Sequence, residues 1–217
     1  MKKLLVIYIV VSAIFGCKRA ETGFSQEERS LINSADSIMK VLTIEDSRDL
    51  AVLRAISTDM SAEALLSDDF TRLSELMVAT VTHPSQDGVG IAGPQVGLNR
   101  RVVAVQRFDK EGEPFEVYPN IRIVCLSDST AYGAEGCLSV PDMRADVLRS
   151  QEVVVEYADM DALRKSAKMP DDKKDSRKCS VGTTDIPVRR DTISGFTAVI
   201  FQHEIDHLEG ILYIDRL

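Results

Sequence analysis

Two histidines near the end of the chain, His203 and His207, constrain its fold more than any other feature. Side chains four positions apart project from one face of a helix, one turn apart, and with Glu204 they form the pattern H-E-x-x-H. In such helices both imidazoles bind one metal ion and the glutamate acts as a base. The alternative is an amphipathic helix with two solvent-facing histidines. Because two of only three histidines have this spacing, we favour a metal site.

The surrounding residues support a helix and limit where a third ligand can lie. Ser194 can cap this helix, and Gly210 is placed to end it. Zinc proteases that extend the motif to HExxHxxGxxH take a third histidine at the position that Tyr213 occupies here. Only seven residues follow Gly210. We therefore expect the third ligand upstream of the helix.

The N-terminus predicts an export signal over residues 1–17. Lys2 and Lys3 precede an apolar run over residues 4–15, which has the length of a signal-peptide core and is too short for an ordinary spanning helix. Gly16 and Cys17 follow, as in a bacterial lipobox, so we predict lipidation at Cys17 and an exported, membrane-anchored lipoprotein of a bacterium. The alternatives are an uncleaved anchor, a simple signal peptide or, if the signal is not used, a cytoplasmic protein. Residues 18–44 are interpreted as a leader or linker.

Composition indicates one globular domain that does not bind nucleic acid. The 217 residues are 44% apolar, which is enough for a sizeable core, and the formal net charge is -8. Phosphate binding needs a basic surface, so this charge argues against a nucleic-acid partner. A chain of this length does not depend on disulfides. Cys125 and Cys179 are therefore interpreted either as a pair, if the protein is exported, or as two buried thiols.

Hydrophobic patterning predicts an α+β domain with mainly antiparallel sheets. A helix with acids in its first turn is expected from Asp68 to Val81, followed by a Gly- and Pro-rich loop up to Gly97. Short apolar runs at 102–105, 121–126 and 153–155 are typical of strands. The charged stretch 161–178 has no apolar period and is interpreted as a solvated loop or insertion. This order differs from alternating βαβ units.

Three ordered segments together resemble the peptide deformylase family. They are Gly-Val-Gly-Ile-Ala-Gly-Pro-Gln at residues 88–95, Glu-Gly-Cys-Leu-Ser at 135–139 and Gln-His-Glu-Ile-Asp-His-Leu at 202–208. The resemblance covers residues 45–217, the predicted catalytic domain, and implies antiparallel sheets around the H-E-x-x-H helix. It implies a metal-dependent hydrolase that removes the formyl group from N-formyl-methionyl peptides and releases formate.

The resemblance also implies a role for individual residues. Cys137, His203 and His207 would hold one divalent metal ion, leaving a fourth position for water. Glu204 would accept a proton from this water and deliver it to the departing amine. The developing oxyanion would be stabilised by the side-chain amide of Gln95 and the backbone N–H of Leu138. The pocket for the methionine side chain would be formed by Val89, Gly90, Val199 and Ile200, whose alternative interpretation is plain core packing.

The metal and the export signal leave alternatives open. The family typically uses ferrous iron, whereas zinc is an alternative for an exported form because ferrous iron with a thiolate ligand is oxygen-sensitive. Gly93 replaces an alanine of the family's loop, with little expected effect. Glu135 and Asp206 are candidates for orienting the metal-bound histidines. Two other functions remain: a metallopeptidase or other amide hydrolase, and a non-catalytic lipoprotein that retains the fold.

Overall fold

The computed structural model describes residues 23–168 and 186–217, so the predicted signal, Cys17 and Cys179 lie outside the described residues. The helices are α1 Gln26–Ser34, α2 Ser47–Leu53, α3 Ala62–Leu65, α4 Asp68–Val81, α5 Met160–Ala167 and α6 Gly195–Leu208. The strands are β1 Gly90–Ala92, β2 Val102–Gln106, β3 Phe115–Pro119, β4 Arg122–Leu126, β5 Thr130–Cys137, β6 Val140–Ser150, β7 Glu152–Ala158 and β8 Val188–Ser194. The described ranges also contain two 3-10 helices, Gly93–Val96 and Tyr213–Arg216, and we call the second the C-terminal turn.

In the part of the chain that the structure describes, three antiparallel sheets surround the last helix, as predicted for the fold class. Their strand orders are β1-β2-β3, β4-β7-β8 and the two-stranded hairpin β5-β6. Helix α6 contacts strands of all three sheets. Its buried residues Phe201, Ile205 and Leu208 share one core cluster with Val103 of β2 and Val155 of β7. Because this helix lies in the interior, its polar residues are fixed by the surrounding sheets.

The N-terminal part packs on the same domain from residue 24 onward. Phe24, Ile32 and Met39 are buried in a core cluster with Leu73 and Met77 of α4. The backbone N–H of Leu42 donates to the carbonyl of Gln95, and that of Ile44 donates to the carbonyl of Ser139, at 2.8 and 2.9 Å. The stretch interpreted as a leader up to residue 44 therefore contributes to the core and supports two loops that carry predicted site residues.

Several local predictions need correction. The charged stretch from residue 161 begins within helix α5, which Asp159 caps by accepting from the N–H of Ala162 and which buries Leu163. Ser194 directly precedes α6, as predicted, but its hydroxyl donates to Glu152 and makes no capping hydrogen bond to the helix. Cys125 is an exposed free thiol, and not a buried one. Among the described helices, none is long and apolar enough to span a membrane.

Candidate metal centre and active site

Helix α6 brings His203, Glu204 and His207 to the interior, and a buried glutamine fixes its position. Gln202 donates from Nε2 to the carbonyl of Ser150 at 2.8 Å and accepts from the N–H of Ser150 at 3.1 Å. This two-way contact joins α6 to the end of β6. His207 is buried and His203 is largely buried, whereas a solvent-facing pair would be exposed. The alternative of two solvent-facing histidines is therefore wrong.

Cys137 reaches the two histidines from the end of strand β5. Its Sγ lies 3.2 Å from Nε2 of His207, and the ligand atoms of Cys137, His203 and His207 all lie within 4.8 Å of one another. Sulfur and nitrogen ligands of a tetrahedral zinc ion lie roughly 3.5 Å apart. One thiolate and two imidazoles at this separation fit one divalent metal ion of the zinc or ferrous-iron type.

Glu135 orients His203 from the side away from the metal position. Nδ1 of His203 donates to Oε2 of Glu135 at 2.8 Å, which leaves Nε2 available as the metal ligand. Burial opposes ionisation of Glu135, but hydrogen bonds from Arg149 and His203 outweigh it and lower the pKa of Glu135 to about 2. Glu135 is thus an anion at neutral pH and can hold the His203 ring in a single tautomer.

The charges around the two histidines favour a cation between them. Burial opposes protonation of His203, yet hydrogen bonds to Cys137 and Glu135 raise its pKa to about 10. Burial and the neighbouring His203 lower the pKa of His207 well below its ordinary value, so His207 is a neutral imidazole. The groups around His203 thus stabilise a positive charge, and the neighbouring His207 is neutral. Such a site is suited to a metal cation.

Glu204 has the properties of a general base near neutral pH. Burial raises its pKa to about 7, partly opposed by the nearby His203. Its Oε2 has no hydrogen-bond partner in the described part of the chain. On the Oε1 side, Gly90 of β1 approaches so closely that a β-carbon there would lie 2.4 Å from Oε1. The carboxylate is therefore buried and closely packed, and no protein group of the described residues occupies its Oε2.

Gln95 and Leu138 both lie next to the cysteine. Oε1 of Gln95 accepts from the N–H of Ala92 at 2.8 Å, which directs the amide nitrogen towards Ser139 and Cys137 at 3.2 and 3.6 Å. Leu138 follows Cys137 directly and lines the same cavity as Gln95. The amide of Gln95 is thus a fixed neutral donor next to the metal ligands.

One cavity of about 780 Å³ brings the predicted site residues together. All but two of them line this cavity: Val89, Gly90, Gln95, Cys137, Leu138, Val199, Ile200, His203 and Glu204. His207 is buried behind this wall, and Cys17 lies outside the described residues. Ile200 also belongs to a core cluster, so packing and pocket lining are both true of it.

Two residues that line or support the site were not predicted. Phe196 lines the cavity and is 55% exposed, with its ring 5.3 Å from that of Phe108. Arg149 is buried, donates to Glu135 at 2.7 and 3.0 Å, and donates to Asp206 at 2.6 Å. The predicted candidates Glu135 and Asp206 are thus joined through one arginine. A single buried arginine on a strand leaves no periodic pattern in the sequence. The one signal that could have suggested Arg149 was Asp206, an acid on the apolar helix α6.

The fold and the site together are those of a metal-dependent hydrolase, with a Cys-His-His ligand set beside a buried glutamate. A family model described as polypeptide deformylase matches residues 38–173 and 177–217. The chain therefore belongs to the peptide deformylase family, and its activity is the removal of the formyl group from formyl-methionyl peptides. The predicted family and function are confirmed.

Relatives from several bacteria support this assignment. Peptide deformylase 2 of Vibrio vulnificus is 37% identical over 181 residues, which cover 83% of this chain and 87% of that protein. Peptide deformylase 2 of Gloeobacter violaceus is 35% identical over 168 residues, 76% of this chain and 74% of that protein. A solved class I type b peptide deformylase from Acinetobacter baumannii is 31% identical, with a TM-score of 0.64 over 83% of this chain and all of that chain.

Proposed function

We propose that Cys137, His203 and His207 hold the metal ion and that Glu204 transfers the proton during deformylation. The observation that carries this proposal is the position of the buried Glu204 carboxylate in the wall of one cavity together with Cys137 and His203. A solved Acinetobacter baumannii deformylase with bound Met-Ala-Ser supports a peptide ligand for this cavity. We expect N-formyl-methionyl peptides as substrates.

A bound metal ion supplies Lewis acidity, which makes water a stronger acid and the formyl carbonyl a better electrophile. Glu204 accepts a proton from water as the water oxygen bonds to the formyl carbon. It then delivers this proton to the nitrogen as the carbon–nitrogen bond breaks, leaving formate and a free amine. A pKa of about 7 suits both steps, because the carboxylate is partly ionised at the pH at which it also acts as an acid.

The remaining residues stabilise charge and bind the peptide. The Gln95 amide, fixed by Ala92, donates to the oxygen on which negative charge develops, and the N–H of Leu138 is the second donor. One such donor contributes about 3 to 4 kcal/mol to catalysis. Val89, Val199 and Ile200 form the apolar wall against which the methionine side chain packs.

The test is formate release from formyl-Met-Ala-Ser by protein loaded with ferrous iron without oxygen. Acetyl-Met-Ala-Ser and the free-amine peptide are controls, because a general amide hydrolase or peptidase would cleave them. Glu204→Gln keeps the size of the side chain and removes the base, so we expect its kcat to fall by at least 100-fold. Equal turnover by this variant would overturn the role of Glu204, and cleavage of the controls would favour a peptidase.

We propose ferrous iron as the physiological metal, with zinc as the alternative. The thiolate and two imidazoles accept either ion, so the chemistry of the ligands supports both. Protein loaded separately with each ion is compared before and after exposure to air. Loss of activity in air, together with higher turnover of the iron form, would support iron; an active and air-stable zinc form would support zinc.

We also propose export and membrane anchoring through a lipid on Cys17. The support is the order of Lys2, Lys3, the apolar run 4–15 and Cys17 in the sequence. Labelled fatty acid incorporated in bacterial cells should appear on the wild-type protein and not on Cys17→Ser. Labelling that is equal in both, or absent from both, would contradict lipidation at this residue.

A further inference from the structure

A row of alternating charges connects the C-terminal turn with the metal-ligand candidate His203. Arg216 donates from Nε to Oδ2 of Asp206 at 2.5 Å, and from Nη2 to Oδ1 of the same carboxylate. Oδ2 of Asp206 also accepts from Nη1 of Arg149 at 2.6 Å. Arg149 uses Nε and Nη2 on Glu135, which accepts from Nδ1 of His203. The row thus contains two cations and two carboxylates before it reaches the imidazole.

In this row each arginine makes two hydrogen bonds to one carboxylate: Arg216 to Asp206, and Arg149 to Glu135. Because Arg216 contacts both oxygens of Asp206, only Oδ2 also reaches Arg149, through a single nitrogen. The other two donor nitrogens of Arg149, Nε and Nη2, both donate to Glu135. If Arg216 were removed, Asp206 could turn both oxygens towards Arg149 and compete with Glu135 for it. The inner side chains of Arg149, Glu135 and Asp206 are only 3%, 6% and 10% exposed, so water would replace the lost contacts poorly.

The same turn also packs directly on the metal ligands. The ring of Tyr213 stacks on that of His203, with centroids 6.0 Å apart and an angle of 23° between the planes. Tyr213 is buried in a cluster with Val140 and Val147 of β6, against which Cys137 packs. The C-terminal turn therefore contacts both the helix and the hairpin that supply the ligands.

We propose that Arg216 is a positioning residue of the metal centre. By occupying both oxygens of Asp206, it keeps the Arg149 fork on Glu135, and Glu135 keeps Nε2 of His203 directed at the metal. This inference rests on the proposed metal set of Cys137, His203 and His207. Arg216 itself touches neither the metal position nor the substrate cavity in the described residues.

Cobalt binding tests the proposal without using activity as the readout. Metal-free Arg216→Gln is titrated with Co²⁺, and its dissociation constant and visible absorption bands are compared with those of the wild-type protein. We expect cobalt binding to weaken by roughly 10-fold, the lower end for residues that orient metal ligands, and the bands to shift as His203 moves. Arg216→Lys, which keeps the charge but not the fork, should be intermediate in both readouts.

Asp215→Asn is the matched control. Asp215 lies in the same turn, pairs with Arg54, and is 38% exposed in its side chain, compared with 40% for Arg216. It does not touch Asp206. If Arg216 only anchored the turn, both variants would lose stability alike and bind cobalt alike, which would overturn the inference.

The remaining outcomes are also decisive. If Arg216→Gln does not fold, Arg216→Lys serves as the test, and cobalt binding equal to that of the wild type would contradict positioning. Failure of the wild-type protein itself to bind cobalt would overturn the metal set, and the inference with it. If the wild-type protein binds cobalt and releases formate, and the Arg216 variants bind cobalt as the wild type does, only the inference about Arg216 would be overturned.

Discussion

A β-carbon on Gly90 would lie 2.4 Å from Oε1 of Glu204 and 2.8 Å from its Cδ, so the space that Gly90 leaves is taken up by the buried carboxylate. Gly90→Ala should therefore displace the carboxylate without removing any ligand. We expect kcat for formate release to fall by about 100-fold, as for a misplacement of about 1 Å in a reacting group, with unchanged metal content. Gly133→Ala is the control, since a β-carbon there meets nothing within 4 Å. Unchanged kcat in Gly90→Ala would contradict this.

Metal binding should stabilise the fold, because its ligands come from strand β5 and helix α6, which the unfolded chain does not hold together. Free zinc at 100 times its dissociation constant should raise the free energy of unfolding by about 2.7 kcal/mol. Urea denaturation in zinc buffers measures the increase, and a chelator should abolish it. Cys137→Ser should gain clearly less, whereas Cys125→Ser, which alters an exposed thiol, should gain as much as the wild type. Equal gains in both variants would argue against Cys137 as a ligand.

Gly93→Ala should destabilise the protein even though alanine is the family's residue at this position. A β-carbon there would lie 2.6 Å from the carbonyl oxygen of Arg100 and 2.8 Å from that of Leu98, and both obstacles are backbone atoms. We expect a loss of roughly 1 to 3 kcal/mol in the free energy of unfolding, measured in urea. Gly136→Ala is the comparison, because its nearest contact, at 3.5 Å, is an ordinary one. Similar stabilities for the two variants would show that the loop adjusts.

The pairing of Glu28 with Arg100 should make stability depend on pH. Glu28 accepts from Arg100 at 2.5 and 2.9 Å and from the N–H of Ser25 at 2.7 Å. Burial opposes ionisation of Glu28, but these bonds lower its pKa below 4.5. A lowered folded-state pKa adds stability above the unfolded-state pKa, and this stability is lost as the pH falls through the folded-state pKa.

Glu28→Gln tests this dependence. Its deficit in free energy of unfolding relative to the wild type should be full at pH 7 and shrink as the pH falls below 4.5. Urea denaturation at several pH values measures it. The control is Glu75→Gln, a change in an exposed acid of helix α4. A Glu28→Gln deficit that stays constant from pH 7 to the acid range would contradict the role of the charge.

The sequence predicted regular elements well where apolar residues follow a helical period or form a continuous run. Helix α4 begins and ends as its apolar period indicated, and the strand predictions at 102–105 and 153–155 fall within β2 and β7. Strands β5 and β6 were not predicted, because most of their side chains are exposed and show no apolar alternation. Helix α5 was also missed, since only Leu163 is buried on it and charged residues dominate the rest.

The sequence by itself determined that His203 and His207 lie on one face of a helix, because residues one turn apart share a face whatever surrounds them. It also determined that Glu204 lies beside this pair. It also supplied the order of the three family segments. Only the tertiary structure decided that Cys137, 70 residues before His207 in the chain, brings its sulfur to 3.2 Å from Nε2. The same is true of the row from Arg216 to Glu135. Contacts between distant segments depend on how sheets and helices pack, and they leave no period in the sequence from which they could be predicted.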